Sequence, residues 1–309
     1  MTPTDAEPAP HSGHADRSEQ AGLVITHHGA SAIVEDSAAQ LHPCHIRKRL
    51  GRVVCGDRVL WHPAEQGKGI ITTVRPRQTA LVSHGAGGRE RVLAANFDLI
   101  VLVTAARPPL SEDLIDRYLI VAELIPARAL IVVNKQDLLT AGTRQALAQR
   151  LEPYRVLGYP VLFTSTRDAE ALEPLHACLK SSTSILLGQS GVGKSSLINA
   201  LLPGKGVQIG ELSATSGLGR HTTTSTTLYH LPHGGQLIDS PGVRDFQLWE
   251  VTPEEIERGF REFAGLRGHC RFHNCRHLQE PGCAVQAAAD AGRISARRLE
   301  SYRKLLGRR

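Results

Sequence analysis

Gly188-Gln-Ser-Gly-Val-Gly-Lys-Ser195 is the stretch that decides how this chain is read. It fits G-x-x-x-x-G-K-[ST] at every fixed position. The apolar run Ser184-Ile-Leu-Leu187 before it reads as a buried strand, and Ser196-Leu-Ile-Asn-Ala-Leu-Leu202 after it reads as a helix. Glycines let backbone N–H groups curl around a phosphate, and the new helix points its positive end at the same anion. Gly188, Gln189, Ser190, Gly191, Val192 and Gly193 are the expected cradle, continued by Ser195 and Ser196. Lys194 is expected to act on the β- and γ-phosphates, with a catalytic role, and Ser195 to ligate Mg²⁺. A glycine-rich turn with a chance lysine would not bring both flanks with it. A nucleotide site is expected.

Upstream lies Asn134-Lys135-Gln136-Asp137, directly after the β-rich run Ala129-Leu-Ile-Val-Val133. That places it at the C-terminal end of a parallel strand, where α/β sheets bind ligands. A carboxylate there can accept hydrogen bonds from N1–H and the exocyclic amine of guanine, a donor pair adenine lacks, so Asp137 would select GTP. In an ordinary GTP-binding domain the phosphate loop comes first and the base reader last. Here the order is reversed, so either one motif is accidental or the domain is circularly permuted.

Four further segments favour permutation. Leu237-Ile-Asp239-Ser-Pro-Gly242 is a strand running into D-x-x-G, with Asp239 in the Mg²⁺ shell and Gly242 at the γ-phosphate. Gly219-Arg-His-Thr-Thr-Thr224 lies where a switch loop must supply a Mg²⁺-ligating threonine. Phe97-Asp-Leu-Ile-Val-Leu-Val103 is another strand, and Val161-Leu-Phe-Thr-Ser165-Thr166 is a strand ending in a polar pair that would flank the base. Each is weak alone, since a Ser-Thr pair after a strand is commonly a helix cap. Together they form a complete GTPase set in cyclic order, cut at a different point. Chain ends of a compact domain usually lie close together at the surface, so such a cut is tolerable.

The series NKQD, GQSGVGKSS, SGLGRHTTT and LIDSPGVRDF resembles the circularly permuted, ribosome small-subunit-dependent GTPase A family (RsgA). The likeness extends to Asp116-Arg-Tyr-Leu119 and to Glu280-Pro-Gly-Cys-Ala-Val285, and runs over nearly the whole chain. It implies an α/β fold: a permuted P-loop GTPase domain with an N-terminal OB-fold β-barrel and a C-terminal helical zinc-binding domain. It also implies a GTP-hydrolysing factor in late maturation of the 30S subunit, stimulated by the ribosome. The expected partners are GTP and GDP, the 30S subunit and its 16S rRNA, with no membrane and no DNA, and a monomeric chain in the cytoplasm.

Composition agrees with an intracellular reading. Aromatic content is 4%, and no apolar run reaches the ~18 residues of a membrane span. The N-terminus carries prolines and acids in place of a basic start and apolar core, so no secretory signal is expected. Residues 1–20 read as a disordered tail, 21–93 as the barrel, 94–250 as the GTPase domain and 251–309 as the zinc domain with a basic terminal helix.

Net charge is only +6, but seven basic residues (Arg293, Arg297, Arg298, Arg303, Lys304, Arg308, Arg309) face one acid, Glu300, at the C-terminus. A basic run is commonly a solvated helix face. Beside a GTPase and a metal site, contact with RNA phosphates is an equal reading.

Cys270-x₄-Cys275-x-His277-x₅-Cys283 supplies three thiolates and an imidazole, a closed tetrahedral Zn²⁺ shell and so a structural site, one per chain. A disulfide reading would need an oxidising compartment. His273 is a spare candidate, but the family pattern implies His277. Cys44, Cys55 and Cys178 read as buried or partly exposed thiols without a role. Helices are expected at about 253–266, capped by Thr252 with Glu254 and Glu255 in its first turn, and at about 283–306. Too small to hold a core alone, this region would be held together by zinc.

Residues 22–93 hold short β-type runs between Gly and Pro turns, which suggests a small antiparallel barrel. A five-stranded OB-fold is the natural candidate. Arg47, Lys48, Arg49, Arg52, Arg75 and Arg77 could follow an RNA backbone. Trp61 is the lone Phe, Tyr or Trp between 21 and 85, so a base-stacking platform is missing and backbone and shape should be recognised instead. A barrel that binds only protein is the alternative.

After D-x-x-G stands Val243, which can neither orient nor polarise water, so intrinsic hydrolysis should be slow unless another group substitutes. His221 is the candidate, since a neutral imidazole accepts a hydrogen bond from water near pH 7. The same residue could instead contact RNA or protein. Thr223 is the candidate Mg²⁺ ligand with Thr222 as runner-up, because consecutive threonines leave the register open. Ser165-Thr166 continues as Arg-Asp where relatives more often continue Thr-Gly, which makes the Ser165 base contact the least secure.

Overall fold

The structure, a computed structural model, describes residues 18–64, 68–84, 90–203, 226–240 and 251–307. Five strands, β1 (Gln20–His28), β2 (Ser31–Glu35), β3 (Leu41–Ile46), β4 (Arg58–Pro63) and β5 (Gly69–Val74), pair in the order β1-β2-β3-β5-β4, and β4 pairs back with β1. The ring is closed, and the expected OB-type barrel is present. Alternating apolar residues fill it: Val24, Val34, Cys44, Val59, Trp61 and Ile71 form one buried cluster. Trp61 is 2% exposed, so the barrel's sole large aromatic ring is core and offers nothing to stack a base on.

A hairpin follows, β6 (Ala80–His84) with β7 (Glu90–Ala95). The sequence pattern predicts no strands there, because glycines separate two short runs. The expected boundary between residues 93 and 94 falls inside β7.

The nucleotide-type sheet comprises β8 (Leu99–Ala105), β9 (Arg128–Asn134), β10 (Val161–Phe163), β11 (Thr183–Leu187), β12 (Thr227–His230) and β13 (Gln236–Asp239). Their spatial order is β10-β9-β8-β11-β13-β12, with all neighbours parallel except β12 against β13. From β8 the chain builds outward to β9 and β10; from β11 it builds the other way. The direction reverses between β8 and β11, and ligands of open α/β sheets bind at such a switch point. Helices α1 (Glu112–Leu124), α2 (Ala141–Val156), α3 (Glu173–Leu179) and α4 (Lys194–Leu201) complete the domain. Ser111 caps α1 and Thr140 caps α2 through side-chain oxygens that accept from the first-turn backbone.

Barrel and sheet are continuous. Thr26 of β1 pairs with Thr227 of β12, joining both into one eleven-stranded sheet. One apolar cluster contains Ile25 and Ile33 of the barrel, Leu81 and Leu93 of the hairpin, and Ile100, Ile185 and Ile238 of the sheet. His230 of β12 also reaches Glu35 of β2 at 2.8 Å.

The C-terminal region contains α5 (Pro253–Arg258), α6 (Ala284–Asp290) and α7 (Ala296–Leu306). The capping box at Thr252 and Glu255 is present as expected. Both expected helices are broken, however. Gly259 ends α5 where a Cβ would stand 2.8 Å from the Ile120 Cα of α1, and a 3₁₀ turn, Arg261–Leu266, carries the chain on. The span 283–306 divides at Gly292, whose φ of +70° leaves the helical region. A core of Ile256, Phe260, Phe263, Val285, Leu299 and Tyr302 packs against Ile120.

Of the basic run, Arg298 is buried, Arg297 and Arg303 are half-buried, Arg293 and Lys304 are exposed, and Arg308 and Arg309 lie outside the described residues. Arg298 is fully buried between Glu262 (2.7 Å) and Asp116 (2.6 Å), and Arg297 also donates to Asp116. Burial opposes the Arg298 charge, but its bonds to Glu262 and Asp116 prevail and hold its pKa above the usual value. Arg303 donates to the His277 carbonyl, and Lys304 pairs with Glu300. The solvated-face reading fails for Arg298, and so does the phosphate-contact reading. Sequence could not see this because the partner acids lie on other elements.

Candidate functional site

The phosphate loop joins β11 to α4 with the expected strand–loop–helix geometry. Its glycines are required by close approaches. A Cβ on Gly188 would sit 2.2 Å from the Val103 carbonyl oxygen, and one on Gly193 would sit 2.4 Å from Asn134 Nδ2. Gly191 and Gly193 adopt φ of +82° and +95°, so the loop curls as an anion cradle must. Lys194 folds over it and donates to the carbonyls of Gly188 and Gln189. Ser190, Ser195 and Ser196 are exposed at the mouth of the loop, Gln189 is half-buried, and Val192 is buried beneath it.

The NKQD segment, Asn134–Asp137, stands beside this loop. Asn134, 1% exposed, donates from Nδ2 to the Val192 carbonyl at 3.0 Å. Lys135 takes a left-handed φ of 60° and sends its ammonium to the carbonyls of Gly191 (2.5 Å) and Arg107 (2.9 Å). Two of the four residues of NKQD therefore brace the phosphate loop. Asp137 is exposed, with its carboxylate toward Ser165, whose Oγ donates to Oδ1 at 2.6 Å. Ser165 itself is buried, and its hydroxyl is engaged by Asp137. Arg167, which sequence had marked only as a departure, brings Nη1 to 3.6 Å from Asp137 Oδ2. Arg107 is a contributor no motif could have announced, since it acts through its backbone.

Asp239 ends β13, with β11 as its parallel neighbour, so the residues expected to hold Mg²⁺, Asp239 and Ser195, follow adjacent strands. Ser240, next to Asp239, hydrogen-bonds Thr226 at 2.9 Å, and Thr26 of the barrel donates to the Thr226 carbonyl at 3.0 Å. His221, Thr222, Thr223, Gly242 and Val243 lie outside the described residues.

A second site lies in the C-terminal region. Single ligand atoms of Cys270, Cys275, His277 and Cys283 all fall within 4.8 Å of one another. His277 Nδ1 stands 3.6 Å from the Cys270 and Cys275 sulfurs and 3.4 Å from Cys283 Sγ. A tetrahedron with metal–sulfur and metal–nitrogen bonds of about 2.3 and 2.0 Å has S···N edges of about 3.5 Å, so the four residues fit a closed metal shell. His277 is 4% exposed, whereas His273 is exposed and outside the group. Backbone N–H groups of Ala284 and Gln286 point at the Cys270 and Cys283 sulfurs, at 3.3 and 3.4 Å, which suits thiolates. Burial and the adjoining thiols push Cys275 up to about 12, so the cluster calls for a cation to hold it ionised. Cys44 and Cys55 are buried and Cys178 partly so, as expected.

The chain is similar to known proteins in sequence and fold. The family model of the RsgA GTPase matches residues 74–249. A protein of Haemophilus influenzae named small ribosomal subunit biogenesis GTPase RsgA is 44% identical over 291 residues, covering 93% of this chain and 84% of its own. A Pseudomonas putida protein of the same name is 46% identical over 292 residues, covering 93% and 85%. Among solved structures, YjeQ from Thermotoga maritima superposes with a TM-score of 0.77 at 33% identity, covering 94% of this chain and all of its own. YloQ, described as a circularly permuted GTPase, gives 0.74 at 27% identity over 96% and 97%. Strand order, motif order and likeness along nearly the whole length therefore agree, and the chain belongs to the RsgA family of circularly permuted GTPases.

Proposed function

We propose that this chain hydrolyses GTP to GDP and phosphate as an assembly factor in late maturation of the 30S ribosomal subunit, with turnover stimulated by that subunit and its 16S rRNA. The observation that carries the reading is the bond from Asn134 to the Val192 carbonyl, which ties a guanine reader to a phosphate loop despite their reversed order. The relatives' names supply the ribosomal subunit as partner.

In this reading Asp137 selects guanine, Lys194 and the loop from Gly188 to Ser196 hold the phosphates, and Gly242 senses the γ-phosphate. Ser195, Thr223 and Asp239 hold Mg²⁺, which supplies charge neutralisation on the phosphates when bound. His221 positions the attacking water in place of the side chain Val243 lacks. Zn²⁺ at Cys270, Cys275, His277 and Cys283 is structural, since four protein ligands leave no open position. The protein acts as a cytoplasmic monomer; among the described residues no helix is long and apolar enough to cross a membrane.

The test is steady-state GTPase activity with and without purified 30S subunits over a salt series. Strong stimulation that fades with salt is the expected result. No stimulation would instead favour a GTP-gated binding module with negligible hydrolysis, the reading that Val243 supports.

A further inference from the structure

His277 takes a left-handed backbone, with φ of +58°. A residue with a Cβ crowds the following carbonyl oxygen in that conformation, so something outside the residue has to hold it there. The imidazole depends on it. Nδ1 stands 3.6, 3.6 and 3.4 Å from the sulfurs of Cys270, Cys275 and Cys283.

Glu280 lies three residues further on, half-buried, and is not among the four candidate ligands. Its Oε1 accepts from the Arg276 N–H at 2.8 Å. Its Oε2 accepts from the N–H groups of Leu278 at 2.7 Å and Gln279 at 3.1 Å. One carboxylate therefore grips the chain on both sides of His277, and bonds from N–H to an ionised oxygen are the strong kind.

The other backbone groups here are engaged as well. Tyr302 Oη of α7 donates to the Arg276 carbonyl, and Arg303 Nε to the His277 carbonyl, each at 3.2 Å. The N–H of His277 bonds Cys275. Both peptide units that flank His277 are thus fixed at N–H and at carbonyl. Glu257 also approaches the ring, with Oε1 3.7 Å from Nε2. That is too long for a direct hydrogen bond, so Glu257 can favour the tautomer that ligates through Nδ1 but cannot fix the ring.

We propose, on the reading of Cys270, Cys275, His277 and Cys283 as a Zn²⁺ shell, that Glu280 is a positioning residue of the metal centre. Its carboxylate clamps the backbone on either side of His277 and so presents the imidazole to the three thiolates. The charge of Glu280 works the other way. A carboxylate in the same loop as three thiolates disfavours their ionisation, so charge alone would make its removal strengthen metal binding. Clamp and charge predict changes of opposite sign.

Zn²⁺ affinity of the full chain, measured by competition with a chromophoric chelator, is one readout, and the absorption spectrum of the Co²⁺-loaded chain is the other. Glu280→Ala should weaken Zn²⁺ binding about 10–100-fold, the range for outer-shell partners of metal ligands. Its Co²⁺ d–d bands should differ from those of the unsubstituted chain, because the imidazole is no longer held at the ion. Glu280→Gln keeps the size and one accepting oxygen, so it should rescue part of the affinity, and it decides the matter if Glu280→Ala does not fold. Glu254→Ala, which removes an exposed acid of the same region, should change neither readout. Unchanged or tighter Zn²⁺ binding by Glu280→Ala would overturn the clamp. So would weaker binding with an unchanged Co²⁺ spectrum, which means general loosening with all four ligands in place. Glu280→Gln as weak as Glu280→Ala would place the effect in the charge and overturn the clamp too. Should the unsubstituted chain take up neither Zn²⁺ nor Co²⁺, the reading of the four ligands fails, a result distinct from selective failure of the variants.

Discussion

Arg298 Nη1 donates to Asp116 Oδ1 at 2.6 Å with both side chains buried, and this bond fastens the terminal helix α7 to α1. Helix α1 begins just after Arg107 and Pro108, where Lys135 and the phosphate loop make contact. The C-terminal module is thus keyed to the helix that starts at the nucleotide pocket. Removing one partner of a buried pair leaves the other charge stranded, at a cost of about 3–5 kcal/mol. Arg298→Met should lower stability by about that amount, read as faster hydrogen exchange over 284–306 and an earlier urea transition. Protection equal to the unsubstituted chain would mean the pair anchors nothing.

Metal content should follow the four ligands. One zinc per chain is expected by elemental analysis, and Cys283→Ser or His277→Ala should bring it to near zero. Chelation should loosen residues 251–307 first, because their small core leans on the metal shell. A chain that keeps stoichiometric zinc without Cys283 would refute the ligand set.

Base selection should reside in Asp137. Asp137→Asn replaces an acceptor pair by a group that offers donors, so GTP affinity should fall about 10²–10³-fold, while XTP, whose C2 position is a carbonyl, should gain. Isothermal titration with both nucleotides measures the exchange. Equal losses for GTP and XTP would point to collapse of the loop instead of altered reading.

The bond between His230 and Glu35 should give the barrel–sheet junction a pH dependence. Glu35 raises the His230 pKa above its ordinary 6.5 through the hydrogen bond, against some opposing desolvation. A raised folded-state pKa means stabilisation that is complete below about 6.5 and is lost as pH rises through the folded value. The Tm difference between the unsubstituted chain and Glu35→Gln should therefore shrink from pH 6 to pH 9. The difference is the useful quantity, because His27, His28 and His176 have lowered pKa values and act in the opposite sense.

His221 is tested by a split between binding and turnover. His221→Ala should keep GTP affinity within about twofold and reduce stimulated turnover by about 10²-fold or more, the range of a general-base contribution. Unchanged stimulated turnover would remove it from the mechanism.

Much of this architecture was legible in the residues because its signals are local. The phosphate loop, the NKQD segment and the candidate metal ligands each occupy a short window with a fixed chemical requirement, and the barrel strands alternate between Gly and Pro turns. What escaped was set by distant partners. Gly259 breaks a helix because of Ile120, and Arg298 is buried because of Asp116 and Glu262. The hairpin from Ala80 to Ala95 forms because Leu81 and Leu93 have a core to enter between barrel and sheet. No periodicity within those segments carries that information.

The strand order also sets a timetable. Strand β11, which bears the phosphate loop, lies between β8 and β13, and β8 is made well before either. At roughly 5–20 residues per second, ribosomes need about 3–12 s to pass from Asn134 to Ser196. During that interval β8, β9 and β10 can pair while the edge of β8 that will receive β11 stays open. A nascent chain therefore holds its NKQD segment before the phosphate loop exists, and the nucleotide site is complete only once synthesis has delivered the strand that fills the middle of the sheet.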